Sequence, residues 1–307
     1  MGPTLPAGVQ PDYPLARLTT VRTGGHGEFF ARPATTEQLV EPLAWAHANS
    51  HEVGVVGSGS NLLIADEGVR GLVMKLDKDL AQIDRDGTRL RCGGGARLPA
   101  VSARAANAGL TGIEFGVNIP GTVGGAVRMN ANAYGGELAA VLEHVELATA
   151  HGVERRTPDQ LGFTYRRSNL QPGEVVAHAC FQLQPAPVDE VKATLVGMRA
   201  QRKAAQPSGI KTFGSTFRNP DDPRAEGRTA GQLLDAAGCR GLRVGGAGFS
   251  EKHANFVENH GRATTADVLA LMAEGRRRVH ERFGVALEPE VQTLGDVRWP
   301  DTWELAA

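Results

Sequence analysis

Short apolar runs, bounded by glycine, proline and small polar residues, occupy the first two-thirds of the chain, and a long amphipathic pattern follows near its end. Residues 28–31, 53–56, 71–76, 88–92, 142–148 and 174–183 read as strands, with 254–258 a shorter strand-like piece. Helical signals lie between them. Thr35-Thr-Glu-Gln38 has the spacing of a capping box and starts a helix toward residue 49, although Pro42 argues against an unbroken one. Further helices are predicted over 98–108, 188–203 and 231–237. The clearest begins at Thr264-Thr-Ala-Asp267, with Val268, Leu271, Met272 and Val279 on one face and Gly284 just beyond its end. Pro185 and Pro187 break the chain before 188–203, which reads as the crossing into a third unit. The expected division is 1–76, 77–187 and 188–307, a mixed α and β organisation without internal repeats.

Composition narrows the function classes. Lys and Arg number 33 against 34 Asp and Glu, a net charge of −1, so no global field draws the chain to nucleic acid or an anionic membrane. No apolar run approaches the roughly 18 residues a spanning helix needs, and the N-terminus lacks a signal-peptide pattern. Cys92, Cys180 and Cys239 are widely spaced and odd in number, which argues against a disulfide framework or a metal cluster and for a reducing, cytoplasmic setting. Glycine stands out at 39 of 307 residues, where an average chain carries about 7%.

Two glycine loops carry that excess. Gly57-Ser-Gly-Ser-Asn61 follows a strand but is not followed by a helix and a spaced acidic residue, so a dinucleotide fingerprint does not fit. It reads better as a nest of backbone N–H groups, with Ser58, Ser60 and Asn61 adding donors to a pyrophosphate. The second loop, Ile119-Pro-Gly-Thr-Val-Gly-Gly-Ala126, joins a rigid turn to a Gly-Gly pair that lets backbone approach a ring or a phosphate. Together the loops suggest one extended cofactor.

An ordered set of motifs resembles the UDP-N-acetylenolpyruvoylglucosamine reductase (MurB) family. It comprises Thr23-Gly-Gly25, Gly57-Ser-Gly-Ser-Asn-Leu-Leu63, residues 116–126, Met129-Asn-Ala131 with Tyr134-Gly135, Tyr165-Arg-Arg-Ser168, Gly214-Ser-Thr-Phe-Arg-Asn-Pro220, Ala230-Gly231 with Leu233-Leu234, Ser250-Glu-Lys-His-Ala-Asn-Phe256 and Leu287-Glu-Pro-Glu-Val291. The resemblance implies an α+β chain: an FAD-binding portion of two subdomains, of the vanillyl-alcohol-oxidase flavoprotein type, followed by an α+β substrate-binding domain. It implies FAD held by Gly57, Ser58, Gly59, Ser60, Asn61 and Leu62 and by Pro120, Gly121, Thr122, Gly124, Gly125 and Ala126, with NADPH as co-substrate. The reaction implied is reduction of the enolpyruvyl ether of UDP-N-acetylglucosamine to UDP-N-acetylmuramate, in peptidoglycan precursor synthesis.

In that reaction, as the resemblance implies it, hydride adds to the vinyl carbon and leaves an enolate that must be stabilised and protonated. By motif, Arg166 and Glu290 stabilise it and Ser215 delivers the proton. Asn219, His253, Asn255 and Tyr134 are carried over as substrate contacts; no metal site, nucleic-acid partner or obligate protein partner is implied. The 49 positions between Arg166 and Ser215 are too few for the tyrosine-bearing substrate lid of one branch, so the lidless branch is the comparison. One position departs from the family: Asn132 stands where glycine is usual, and Asn is the residue best able to keep a positive φ there. Two rival readings use the same glycine loops: another flavin-dependent oxidoreductase of this broad fold, and a non-catalytic FAD- or nucleotide-binding module.

Overall fold

A computed structural model describes residues 4–205 and 211–304, and the chain divides into two compact units, each assembled from separated segments. The first comprises the chain up to Tyr13, Gly27–Ser58 and Arg70–Arg202; the second comprises Pro14–His26, Gly59–Val69 and the chain from Lys203 onward. These divisions depart from the expected boundaries after residues 76 and 187. Long-range pairing decides membership, not order along the chain, so a helix starting at Val188 stays with the first unit while two early segments join the second.

In the first unit, β1 (Val9–Pro14), β2 (His26–Ala31), β3 (Val53–Val55) and β5 (Val69–Met74) form a sheet in the order β1-β2-β5-β3; β4 is Leu62–Ile64, in the second unit. Helix α1 (Thr36–Ala48) packs Leu39, Leu43 and Ala46 against Leu72, Met74 and Ala177. Thr35 caps its first turn by accepting from the Gln38 N–H. Pro42 does not break it: one backbone donor is lost, and its buried ring joins the packed face instead.

The larger sheet is antiparallel, in the order β12 (Gly152–Arg156), β11 (Leu142–Thr149), β13 (Val175–Gln182), β7 (Arg89–Gly93) and β6 (Ile83–Asp86). Its inner face and α2 (Leu98–Asn107) enclose Leu90, Val101, Phe115, Val145, Leu147 and Phe181, all buried. Short ladders join β8 (Leu110–Thr111) to β14 (Gln184–Pro185) and β9 (Asn132–Ala133) to β10 (Gly136–Glu137). The unit also holds α3 (Val123–Arg128) and α4 (Val188–Ala205), of which the residues to Arg202 belong to it.

The second unit is a four-stranded antiparallel sheet, β15 (Thr212–Ser215), β18 (Phe256–Asn259), β17 (Ala247–Phe249) and β16 (Arg243–Val244), packed on α5 (Ala230–Ala236) and α6 (Thr265–Phe283). Phe213, Phe217, Phe249, Leu233, Leu271 and Met272 fill its core. α6 follows its expectation in full: Thr264 and Asp267 cap each other's backbone, and Gly284 ends it at φ +67°. β19 (Gln292–Leu294) pairs in parallel with β4, which ties the end of the chain to the first glycine loop. β15 follows residues 206–210, which lie outside the described residues.

Candidate active site

Gly57 and Ser58 end the β3 segment, and the second glycine loop leads into α3. Within the first unit the two loops meet. A Cβ on Gly57 would stand 2.4 Å from Thr122 Oγ1, so no other residue fits there without displacing Thr122. Thr122 caps α3 by accepting from Gly125 N–H, Leu98 N–H donates to the Gly121 carbonyl at 3.0 Å, and Gly124 N–H donates to the Gly94 carbonyl at 2.8 Å. Pro120 and Ala126 flank this turn, Pro120 half-buried and Ala126 buried. The Gly57 carbonyl accepts from Lys75 Nζ. Burial, then Arg32 and Arg97, hold the Lys75 ammonium below its ordinary pKa, which marks a concentration of positive charge at this loop.

These residues fit an FAD pyrophosphate. Ser58 Oγ is buried without a hydrogen-bond partner, and the backbone N–H groups of residues 57–61 donate to no protein acceptor among the described residues. A row of open donors beside ammonium and guanidinium groups is the donor set that phosphate oxygens require. Lys75 was not legible beforehand, because a lysine at a strand end looks like any solvated cation.

The rest of the first loop belongs to the second unit. Gly59 adopts φ +63° and accepts from Thr20 N–H at 3.0 Å; Leu62 opens β4. Ser60 and Asn61 face the segments that carry two predicted catalytic residues. A Cβ on Gly214 would lie 3.6 Å from the Ser60 carbonyl, and Asn61 Nδ2 donates to the Glu290 carbonyl at 3.2 Å. Ser215 ends β15, opposite Phe256 and after a register shift, with Gly214 at φ +81° turning the strand. Glu290 N–H donates to the Thr216 carbonyl at 2.9 Å. The structure thus brings Ser215, Glu290 and part of the first glycine loop together within one unit. Thr216, between them, is fully buried with its hydroxyl unpartnered.

Three expected substrate contacts have other partners here. Asn255 is 4% exposed, and its amide both accepts from Phe217 N–H and donates to the Phe217 carbonyl, each at 2.9 Å. It clamps the chain just after Ser215. His253 Nδ1 accepts from Asn255 N–H at 3.2 Å, and burial pushes its pKa down, which favours the neutral ring. Asn219 is exposed, and its Oδ1 accepts from Ala230 N–H at the start of α5.

Arg166 lies in the first unit, on the hairpin turn closed by Thr164 and Arg167, whose backbones exchange hydrogen bonds of 3.0 and 3.1 Å. It adopts φ +57°, a strained conformation for arginine, and its guanidinium donates to the Asn132 carbonyl at 3.2 Å and stacks 5.3 Å from the Tyr165 ring. The left-handed conformation expected at Asn132 falls elsewhere. Asn132 is a strand residue in β9; Asn130 (φ +39°) and Tyr134 (φ +52°) take the positive φ values around it. Tyr134 is 43% exposed, and its hydroxyl accepts from Asn118 Nδ2 at 2.7 Å. Glu143, His144 and Cys180 could offer ligand atoms to a metal, but arginines already hold two of them: Arg89 Nε lies 2.8 Å from Glu143 and Arg155 2.6 Å from His144 Nδ1.

Residues 28–157 match the FAD binding domain, and 206–294 match the C-terminal domain of UDP-N-acetylenolpyruvoylglucosamine reductase. Fold and glycine loops therefore define the class: an FAD-dependent oxidoreductase with an FAD-binding domain and a distinct C-terminal domain. The chain is 44% identical to the UDP-N-acetylenolpyruvoylglucosamine reductase of Anaeromyxobacter sp. over 296 residues, 96% of this chain and 92% of that protein. It is 44% identical to that of Sphingopyxis alaskensis over 298 residues, 95% and 97% of the two chains. The crystal structure of UDP-N-acetylenolpyruvylglucosamine reductase from Thermus caldophilus superposes with a TM-score of 0.80 at 37% identity, covering 93% of this chain and 98% of that one. The protein belongs to the UDP-N-acetylenolpyruvoylglucosamine reductase family.

Proposed function

We propose that this chain reduces the enolpyruvyl ether of UDP-N-acetylglucosamine to UDP-N-acetylmuramate in the cytoplasm, with Ser215, Glu290 and Arg166 as its catalytic residues. FAD, held by the glycine-loop residues, would supply the two-electron chemistry that links NADPH to the vinyl carbon. The chain's residues handle the charge and the proton. Arg166 binds the substrate carboxylate with its planar donors and stabilises the negative charge spread over that carboxylate and the adjacent carbon. Glu290 assists at the same centre. Ser215 donates its hydroxyl proton to that carbon, completing addition of hydride and proton across the double bond, and solvent reprotonates it. Tyr134 borders the substrate, while Asn219, His253 and Asn255 support the site through the backbones they hold.

The observation that carries this reading is the bond from Glu290 N–H to the Thr216 carbonyl, beside Ser60 and Asn61: the segments that carry Glu290 and Ser215 meet part of the glycine loop within one unit. An anaerobic absorbance titration tests it. NADPH should bleach the flavin bands, and the enolpyruvyl ether of UDP-N-acetylglucosamine should restore them. Bleaching without restoration by that substrate defeats the substrate assignment and leaves the flavoprotein class intact.

A further inference from the structure

Behind Ser215 and Glu290, α6 carries three consecutive arginines with different fates. Arg277 and Arg278 form ordinary ion pairs with Glu274, and Arg277 also with Glu281. Arg276 turns inward. Its Nε donates to the Leu287 carbonyl at 2.9 Å and its Nη1 to the Trp303 carbonyl, while the guanidinium lies 4.7 Å from the centre of the Trp303 ring. The Trp303 ring runs nearly parallel to that of Phe217, at 6.4 Å and 10°, and Trp299 packs on its flank at 4.2 Å. Leu287 begins the segment leading to Glu290, and Phe217 follows Ser215 by two positions. The two segments are stitched together by Arg218 N–H to the Glu288 carbonyl and Glu290 N–H to the Thr216 carbonyl, both at 2.9 Å.

We propose that Arg276 and Trp303 are positioning residues: together they brace the Leu287–Glu290 segment against the Ser215–Phe217 segment, to which a single backbone bridge joins it, and thereby hold the geometry of proton delivery. The inference rests on the assignment of Ser215 and Glu290 made above. The planar fork of arginine is what the arrangement needs, since one group must meet two carbonyls and a ring face at fixed angles. Residues 287–291 lie outside helix and strand; a single isolated bridge, Phe217 opposite Pro289, joins them to the neighbouring segment with no longer ladder to reinforce it, and small displacements of a catalytic group cost rate steeply.

Rapid-mixing measurements on the FAD-loaded full chain separate this role from a general structural one. Reduction by NADPH needs no proton delivered to carbon; reoxidation by the enolpyruvyl substrate does. Arg276→Gln and Trp303→Ala should slow reoxidation by roughly ten- to a hundredfold, with NADPH reduction and substrate affinity within about twofold of the parent. Trp303→Phe, which keeps the ring stack, should recover most of the rate. Arg276→Lys should not, because one ammonium lacks the fork. Parallel loss of both half-reactions with a lowered Tm, or no change in either, overturns the proposal. Ser215→Ala and Glu290→Gln run beside them: if these leave reoxidation untouched, the catalytic assignment itself fails, whereas slow reoxidation in them but not in Arg276→Gln defeats only the positioning role.

Discussion

Asn132 has a conformation that asks nothing particular of its side chain. It is an extended residue paired with Glu137, and its carbonyl, available whatever the side chain, receives the Arg166 guanidinium. Asn132→Gly should therefore leave FAD content and turnover unchanged and lower stability by no more than about 1 kcal/mol, the entropic cost of glycine in a strand; a Tm series and a flavin spectrum check both. Ser215 and Glu290 are the opposite case, since the proposed chemistry would reside in the side chains themselves. Ser215→Ala and Glu290→Gln should each keep bound FAD but lose roughly a hundredfold or more in turnover, the usual contribution of a positioned acid–base group. Unchanged turnover in both variants would refute the assignment. Asn255 shows what motif transfer misses: residue type was legible, but the Phe217 clamp exists only because β15 and β18 lie side by side.

At the level of elements, long periodic segments were readable and short pairings were not. α6, α2 and α4 and strands β11 and β13 match their expected ranges within a few residues, because each buries apolar positions at its own period, α4 through the narrow stripe of Val191, Leu195 and Met198. β15, β16, β17 and β19 are two to four residues long, too short to show a period, and exist through their partners. The β11–β13 pairing makes a pH prediction. His144 on β11 and His178 on β13 are both held below their ordinary pKa by burial, with Arg155 and Arg91 respectively adding to the effect. Glu146, 3.1 Å from His178, pulls the other way and is outweighed. Below the unfolded value near 6.5 the unfolded chain binds protons that the folded chain does not, so stability is full above that pH and falls as pH drops through it. Tm should decline from pH 7.5 to 5.5, and His178→Gln should flatten that slope; an equal slope in the variant excludes His178 as a contributor.

For the whole molecule, the cofactor is the main external contributor to stability. FAD bound by the folded chain alone, at about a hundredfold excess over its Kd, adds roughly 2.7 kcal/mol, which a thermal scan of apoprotein with and without FAD will register as a rise in Tm. Lys75→Met removes an ammonium from the glycine-loop corner and should raise the FAD Kd by roughly tenfold, the loss of one charge-assisted contact, measured by fluorescence titration; an unchanged Kd would exclude Lys75 from the cofactor site. The sequence alone determined the family, the use of FAD and the identity of the candidate catalytic groups, because motif order and glycine positions are local and survive translation into a string. The compact units, the contact of Gly57 with Thr122, the joining of β4 to β19 and the clamp of Arg276 on Trp303 were decided only by tertiary structure. Each depends on backbone atoms distant along the chain coming within hydrogen-bond or van der Waals range, and no residue type at either end announces its partner.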